Sequence, residues 1–260
     1  SGVAVQTKDW TWTTTPTISF NRNLITRLSD PEKGFNYTQT TSGGVGENGI
    51  MNTNVQLLTE KEAVGAFYGY SFAGYKSDGT AMYNTPTGGY ISADNASESH
   101  KQIIGNAQPL FTFGWNNSIR YKNWDASVFF RGVVGNKILN VTRWAYGPQN
   151  SVSTNIFMKD AVGKDVKVVD KGHFTDTYLE DGSYIKLDNL TIGYNFKFKE
   201  NKYIENLRVY LTGQNLFTIT KYSGQDPEVN TTGVWDAGID YPDFYPTVAT
   251  VLLGVNMSLF

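Results

Sequence analysis

The most regular feature of this chain is alternation of apolar and polar positions. Phe111, Phe113, Trp115, Ile119 and Tyr121 fall on one parity, and Thr112, Gly114, Asn116, Ser118 and Arg120 on the other. A period of two over eleven residues predicts a strand with one apolar face, long for a compact water-soluble domain. Lys122-Asn123-Trp124-Asp125 reads as a tight turn, after which Ala126, Val128, Phe130 and Val134 line one face, with Ser127 and Arg131 opposite. The form recurs at Leu190, Ile192, Tyr194, Phe196 and Phe198, set against Thr191, Gly193, Asn195 and Lys197. After a polar turn near 199–205, Leu207, Val209, Leu211, Phe217 and Ile219 alternate with Arg208, Tyr210, Thr212, Gln214 and Thr218. The final run places Val251, Leu253, Val255, Met257 and Leu259 on one face and Thr250, Gly254, Asn256 and Ser258 on the other. Near the start, Trp10, Trp12, Ile18, Phe20, Leu24 and Leu28 share parity, and residues 2–8 look like the tail of a preceding strand turning at Lys8-Asp9. Upstream of Leu190 the apolar parity switches to Ile185 and Leu187, which predicts a β-bulge near Asp188-Asn189.

The connections also alternate. Short turns fall near 8–9, 122–125 and 199–205; long segments rich in Gly, Asn and Asp fall at about 29–107, 141–181 and 222–246. Short turns at one end and long loops at the other are the signature of a membrane β-barrel, and loops this long are uncommon in compact domains unless they serve a function. Six of the strands meet the ~9–11 residues needed to cross a bilayer. Natural bacterial barrels use about eight or more strands, so six and a partial one read as part of a larger barrel. On pattern alone a soluble β-sandwich, with the apolar faces buried against a second sheet, stays open.

Composition sharpens this. Aromatic residues make up 14% and charged residues only 18%, against about 25% charged in typical globular chains, which suits strands with a large apolar face. The absence of Cys excludes a disulfide scaffold, a thiolate metal site and a cysteine nucleophile. A formal net charge of -2, without basic runs, argues against nucleic-acid binding. No apolar stretch is long enough for a membrane-spanning helix. Ser1-Gly2-Val3-Ala4-Val5 lacks the basic and apolar regions of a secretory signal.

Candidate chemistry is sparse. Gly44-Val45-Gly46-Glu47-Asn48-Gly49 matches G-x-G-x-x-G, but the polar stretch before it is no buried strand, so it reads as a surface loop and not as a dinucleotide site. His100 and His173 lie far apart in loops, and both read as solvent-exposed. Asp78-Gly79 and Asp94-Asn95 could lend oxygens to a loop Ca²⁺, yet without EF-hand spacing they read as turn formers. Glu180 and Asp181, adjacent on a strand, point to opposite faces and make no acid/base pair. No catalytic constellation emerges, so the chain does not read as an enzyme, and no cofactor is expected. The aromatics of the long segments are more suggestive. Trp144, Tyr146, Trp235 and Tyr241, with Phe244 and Tyr245, sit among Asn, Asp and Gly, a mixture that suits sugar or peptide recognition. An interfacial aromatic girdle, or loop packing, is the alternative.

Several longer stretches carry a resemblance. Ile104-Gly105-Asn106-Ala107-Gln108-Pro109-Leu110-Phe111-Thr112-Phe113-Gly114 is followed by Tyr121-Lys122-Asn123-Trp124-Asp125 and by Arg131-Gly132-Val133-Val134-Gly135-Asn136-Lys137. Then come Glu180-Asp181-Gly182-Ser183-Tyr184 running into Leu190-Thr191-Ile192-Gly193-Tyr194, Gly213-Gln214-Asn215-Leu216-Phe217, and Asp226-Pro227-Glu228. In this order the motifs resemble the C-terminal barrel region of SusC/RagA-type TonB-dependent transporters of Bacteroidetes. The resemblance covers nearly the whole chain and is weakest over 29–103. Phe260 departs from the family pattern, being out of phase with Met257 and Leu259.

The resemblance implies an all-β fold, with residues 1–260 supplying the last six to seven antiparallel strands of a 22-stranded transmembrane barrel. The plug domain, the N-terminal strands and the segment that contacts TonB would lie outside this chain. It further implies an outer-membrane location with a periplasmic C-terminus, and import of oligosaccharides or peptides beneath a SusD-like surface lipoprotein with TonB-derived energy. Trp144, Tyr146, Trp235 and Tyr241 become candidate contacts to substrate or to the lipoprotein lid. Arg120, Arg131, Lys186 and Arg208 are expected to face the lumen and the apolar positions lipid. A passive porin-like channel and a soluble sugar-binding β-sandwich are the rival functions.

Overall fold

The computed structural model describes residues 1–46, 50, 52–147, 172–198, 203–229 and 233–259. In chain order the first strands are β1 (Gly2–Gln6), β2 (Trp10–Ser19), β3 (Gln39–Val45), β4 (Thr53–Thr59), β5 (Ala66–Gly69), β6 (Ser71–Tyr75), β7 (Ala81–Asn84), β8 (Tyr90–Ser92) and β9 (Gln102–Asn106). Then follow β10 (Phe111–Tyr121), β11 (Trp124–Val134), β12 (Lys137–Asn140), the short helix α1 (Val141–Tyr146) and β13 (Leu179–Asp181). The last are β14 (Tyr184–Lys197), β15 (Ile204–Thr220), β16 (Ile239–Asp240) and β17 (Thr250–Leu259).

Seven of these form one antiparallel sheet in the order β1-β2-β10-β11-β14-β15-β17, a meander in which every strand pairs with its successor in the set. We call it the wall. Residues directly across an antiparallel pair share a face, so the register sorts the two sides. Tyr121, Trp124, Tyr194, Val209 and Val255 make one outer row, and Arg120, Asp125, Gly193, Tyr210 and Gly254 make the adjoining row on the other side. The alternation read from the sequence is therefore the two-sidedness of this sheet. β2 ends at Ser19, so the parity shared by Phe20, Leu24 and Leu28 does not extend the strand. The expected bulge is present: Phe129 and Phe130 pair with Asn189 and Leu187, leaving Asp188 as the extra residue. The expected turn at 199–202 and the phase of Phe260 lie outside the described residues.

The apolar face has no second layer over it among the described residues. Ile192, Leu211, Val251 and Leu253 stay exposed, Leu253 at 75%, which removes the sandwich reading, since a sandwich buries such a face. Two polar residues on this face are covered by indoles. Thr14 and Asn117 sit opposite each other. The Trp12 Nε1–H donates to Asn117 Oδ1 at 3.1 Å, and the Trp115 Nε1–H to Thr14 Oγ1 at 2.8 Å.

The described parts of the long segments are not open loops. They fold into a head with sheets β3-β4-β5-β9, β6-β7-β8 and β13-β12-β16. Its core gathers Val45, Val55 and Phe67 from the first segment, Leu139, Val141, Trp144, Phe174 and Tyr178 from the second, and Ile239 from the third. The glycine motif begins on β3, where Val45 is fully buried between exposed Gly44 and Gly46; its Glu47-Asn48-Gly49 portion lies outside the described residues. His173 is no free loop residue. Its ring packs on Tyr70 with centroids 4.9 Å apart, and its Nδ1 lies 3.2 Å from the Tyr83 hydroxyl.

Candidate functional site: the polar face and the head above it

At the short-turn end of the wall, the Asp125 carboxylate accepts from Arg208 Nε at 3.0 Å, from Arg208 Nη2, and from Asn195 Nδ2 at 2.7 Å. The Arg208 guanidinium lies over the Tyr210 ring, 4.6 Å from its centroid. Gly193 makes this approach possible: a Cβ there would stand 2.8 Å from Arg208 Nε and 2.9 Å from Asp125 Oδ2. Arg120 is exposed beside them. Ser118, Arg120, Asp125, Ser127, Asn195 and Arg208 line a concave polar recess of about 840 Å³.

At the opposite end, charge is held more tightly. Arg131 on β11 donates to Asp188 Oδ1 at 2.6 Å and to both Glu228 oxygens. The bulge at Asp188 turns that carboxylate toward Arg131, the local re-aiming that bulges permit. Lys186 on β14, 1% exposed, pairs with Glu228, and its Nζ lies 3.8 Å from Asp226 Oδ2. Tyr184 donates to Glu228 Oε1 at 2.8 Å. Burial pushes the Glu228 carboxyl up, but the hydrogen bonds from Arg131, Lys186 and Tyr184 outweigh it and hold its pKa at about 2. In the head, Tyr222 donates to Asp240. Burial raises the Asp240 carboxyl and, with the neighbouring Asp240 charge, the Tyr222 phenol.

The four aromatic candidates do not share one surface. Trp144 is fully buried in the head core, stacked on Tyr178 at 5.8 Å and against Phe174 at 5.3 Å. A ring so enclosed has no face to offer a ligand; the helix capped by Asn140, whose Oδ1 accepts from Arg143 N–H, turns it inward. Tyr146 packs half-buried on the same core. Tyr241 is half-buried and donates to the Gly44 carbonyl at 3.0 Å. Trp235, on a short 3-10 turn, is 58% exposed.

Sequence reasoning missed the acidic partners of the wall cations. Asp226-Pro227-Glu228 entered only as a resemblance, without a role. Glu180, which spacing alone gives no role, accepts from Asn140, Arg143 and Ser223 and so ties β12 and α1 to the connection between β15 and β17. Asp78 accepts from the Thr80 N–H in its own turn. Among the described residues no group of three His, Asp or Glu side chains is placed to hold a metal ion.

A one-layer antiparallel meander, apolar and uncovered on one face and charged on the other, defines a segment of a transmembrane β-barrel. No family model matches the chain. It is 34% identical over 280 residues to the TonB-dependent receptor P3 of Formosa agariphila, covering 98% of this chain and 27% of that protein. It is 29% identical over 268 residues to the TonB-dependent receptor SusC of Bacteroides thetaiotaomicron, covering 98% of this chain and 25% of that protein. Among solved structures, the RagAB peptide transporter shares the fold with a TM-score of 0.74 at 22% identity, over 98% of this chain and 28% of that one. Over nearly its whole length the chain is thus similar to TonB-dependent receptors, which are outer-membrane proteins. It spans about a quarter of the length of these relatives.

Proposed function

We propose that this chain is the C-terminal portion of a transporter barrel that imports large nutrients, oligosaccharides or peptides, across the outer membrane. The observation that carries the reading is the wall itself. Its six long strands can cross a bilayer, its apolar face suits lipid, and its charged face suits a water-filled lumen. In lipid every backbone polar group must be paired, so a spanning sheet must close. The free edges of β1 and β17 would therefore meet strands from the rest of the barrel. The short-turn end, with the C-terminus, faces the periplasm in this reading, and the head faces outward.

Energy would come from TonB through the plug, outside these residues, and a SusD-like lipoprotein would cap the head. Of the four candidates Trp235 is the best placed for contact with substrate or lid because its ring is open to solvent; Tyr241 and Tyr146 offer partial faces. The activity is binding and passage, with no chemical step on the substrate.

Uptake by cells that carry the intact protein tests the reading. Uptake that stops when TonB is deleted supports it, and uptake that persists makes the protein a passive channel. Mass analysis of detergent extracts tests the closure: the wall should travel with a stoichiometric remainder of the barrel. A 29.0 kDa chain running alone and soluble without detergent would overturn the reading.

A further inference from the structure

Besides the β2–β3 and β9–β10 connections, the wall passes into the head through two adjacent strand junctions. β11 continues into β12 across Gly135-Asn136, and β13 continues into β14 across Gly182-Ser183. Each junction carries a glycine. Gly135 has φ +87°, a left-handed conformation that other residues adopt at a cost. The two junctions are tied to each other by Gly182 N–H to the Asn136 carbonyl at 2.9 Å and Gly135 N–H to Ser183 Oγ at 2.9 Å. Paired strands interrupted at the same level by glycines mark the joint between wall and head.

The connection between β15 and β17 also spans this joint, and it is held on both the wall side and the head side. On the wall side, Glu228 receives Arg131, Lys186 and Tyr184. Asp226 receives the Thr247 N–H at 2.9 Å and the Thr247 hydroxyl, and Lys186 Nζ donates to Thr247 Oγ1 at 2.8 Å. The start of the connection is thus pinned to β11 and β14, and its finish to β14 through Lys186 and to Asp226. On the head side, β16 pairs in parallel with β12, at Leu139 with Ile239 and Asn140 with Asp240. Gln56 Nε2 donates to the Ala237 carbonyl at 2.6 Å, and Ile239 is buried in the head core. The head side is held by apolar burial, backbone pairing and the Tyr222–Asp240 and Ser223–Glu180 hydrogen bonds, and the wall side by ions and hydrogen bonds.

We infer that Asp226 and Glu228 form a polar strap across a glycine joint, and that this strap sets the position of the head over the lumen wall. Asp226 and Glu228 are positioning residues: they touch the wall cations, and through β16 they fix where Trp235 and Tyr241 stand. Neither residue belongs to the head core, so releasing them should leave that core folded. The inference rests on the wall-and-head geometry of the proposed barrel, and its test reads geometry, so its failure is distinguishable from a failure of transport.

The test uses the intact transporter, purified in detergent, carrying Glu228→Gln, which keeps the size of the side chain and removes its charge. Spin labels at Lys122→Cys on the wall and Trp235→Cys on the head report their separation; this chain has no Cys of its own. We expect a displaced or broadened distance distribution. We also expect about tenfold or faster amide exchange over β16 and Tyr241, the factor for losing one charged hydrogen bond, with β10 and β11 unchanged. Glu228→Asp, which keeps the charge, should restore part of the protection. An unmoved distance, unchanged exchange over β16, or equal loss of protection in the wall would overturn the strap. Should Glu228→Gln not accumulate, Thr247→Val, which removes only the hydroxyl between Asp226 and Lys186, gives the same readouts with a smaller expected effect.

Discussion

The wall and the head are built from one chain by opposite rules. In the wall, large apolar side chains such as Leu211, Leu253 and Met257 stay exposed, because one layer of sheet has nothing behind it. In the head, Phe67, Leu139 and Trp144 are buried together from distant segments, as in a water-soluble domain. The contrast teaches that burial is the wrong guide to the wall. Its apolar face is completed by lipid, a solvent that the alternation anticipates, whereas the head must complete its own core.

The largest effect that would separate the two regions is Trp144→Ala. Emptying that site should cost about 3–5 kcal/mol and open the head to limited proteolysis while the wall remains assembled; loss of both together would mean that they fold as one unit. Next, Leu211→Arg at mid-wall should cost about 2–4 kcal/mol against lipid and reduce the folded fraction in outer membranes. Ser118→Arg, on the polar face, should be tolerated. Equal tolerance at both positions would break the assignment of faces.

Acid probes the seam between the regions. The Glu228 pKa is held at about 2, below its ordinary 4.5, so its contribution is fully present above pH 4.5 and is lost as pH falls through about 2. Asp240 acts in the opposite sense. Its pKa is raised by burial, so it costs stability once pH exceeds its ordinary value of 3.8, and acid relieves that cost. Protease sensitivity of the connection between β15 and β17 should therefore rise only at the acid end of this range. Arg131, Lys186, Tyr184 and Asp188, facing Glu228 from β11 and β14, and Asp226, beside it in its own connection, set that balance.

A smaller effect is expected at Trp12→Phe, which leaves Asn117 Oδ1 without its indole donor at a cost of about 1–3 kcal/mol. Adding Asn117→Val should recover most of it, because removing both partners leaves no unpaired group. Thermal unfolding of the assembled protein, followed by gel mobility, reads both. Trp235→Ala should change stability by no more than about 0.5 kcal/mol; a weaker affinity for nutrient or lid at unchanged stability would mark it as a contact.

What the sequence determined by itself is the wall. Alternation is a local property of the pleated backbone, so the strands at 111–121, from Ala126 onward and at 250–259, and the switch of parity near Asp188-Asn189, are legible without knowing any partner. The turn read at 122–125 is shorter in the structure, where Trp124 and Asp125 already pair in β11. The head and the strap were decided only by tertiary structure. Trp144 looks alike in a ligand-facing loop and in a core, and only the arrival of Phe174 and Tyr178 encloses it. Glu228 meets Arg131 across 97 residues of chain. Nothing in the spacing of either residue specifies that meeting, because charge complementarity over such a separation acts only after the strands have set the register.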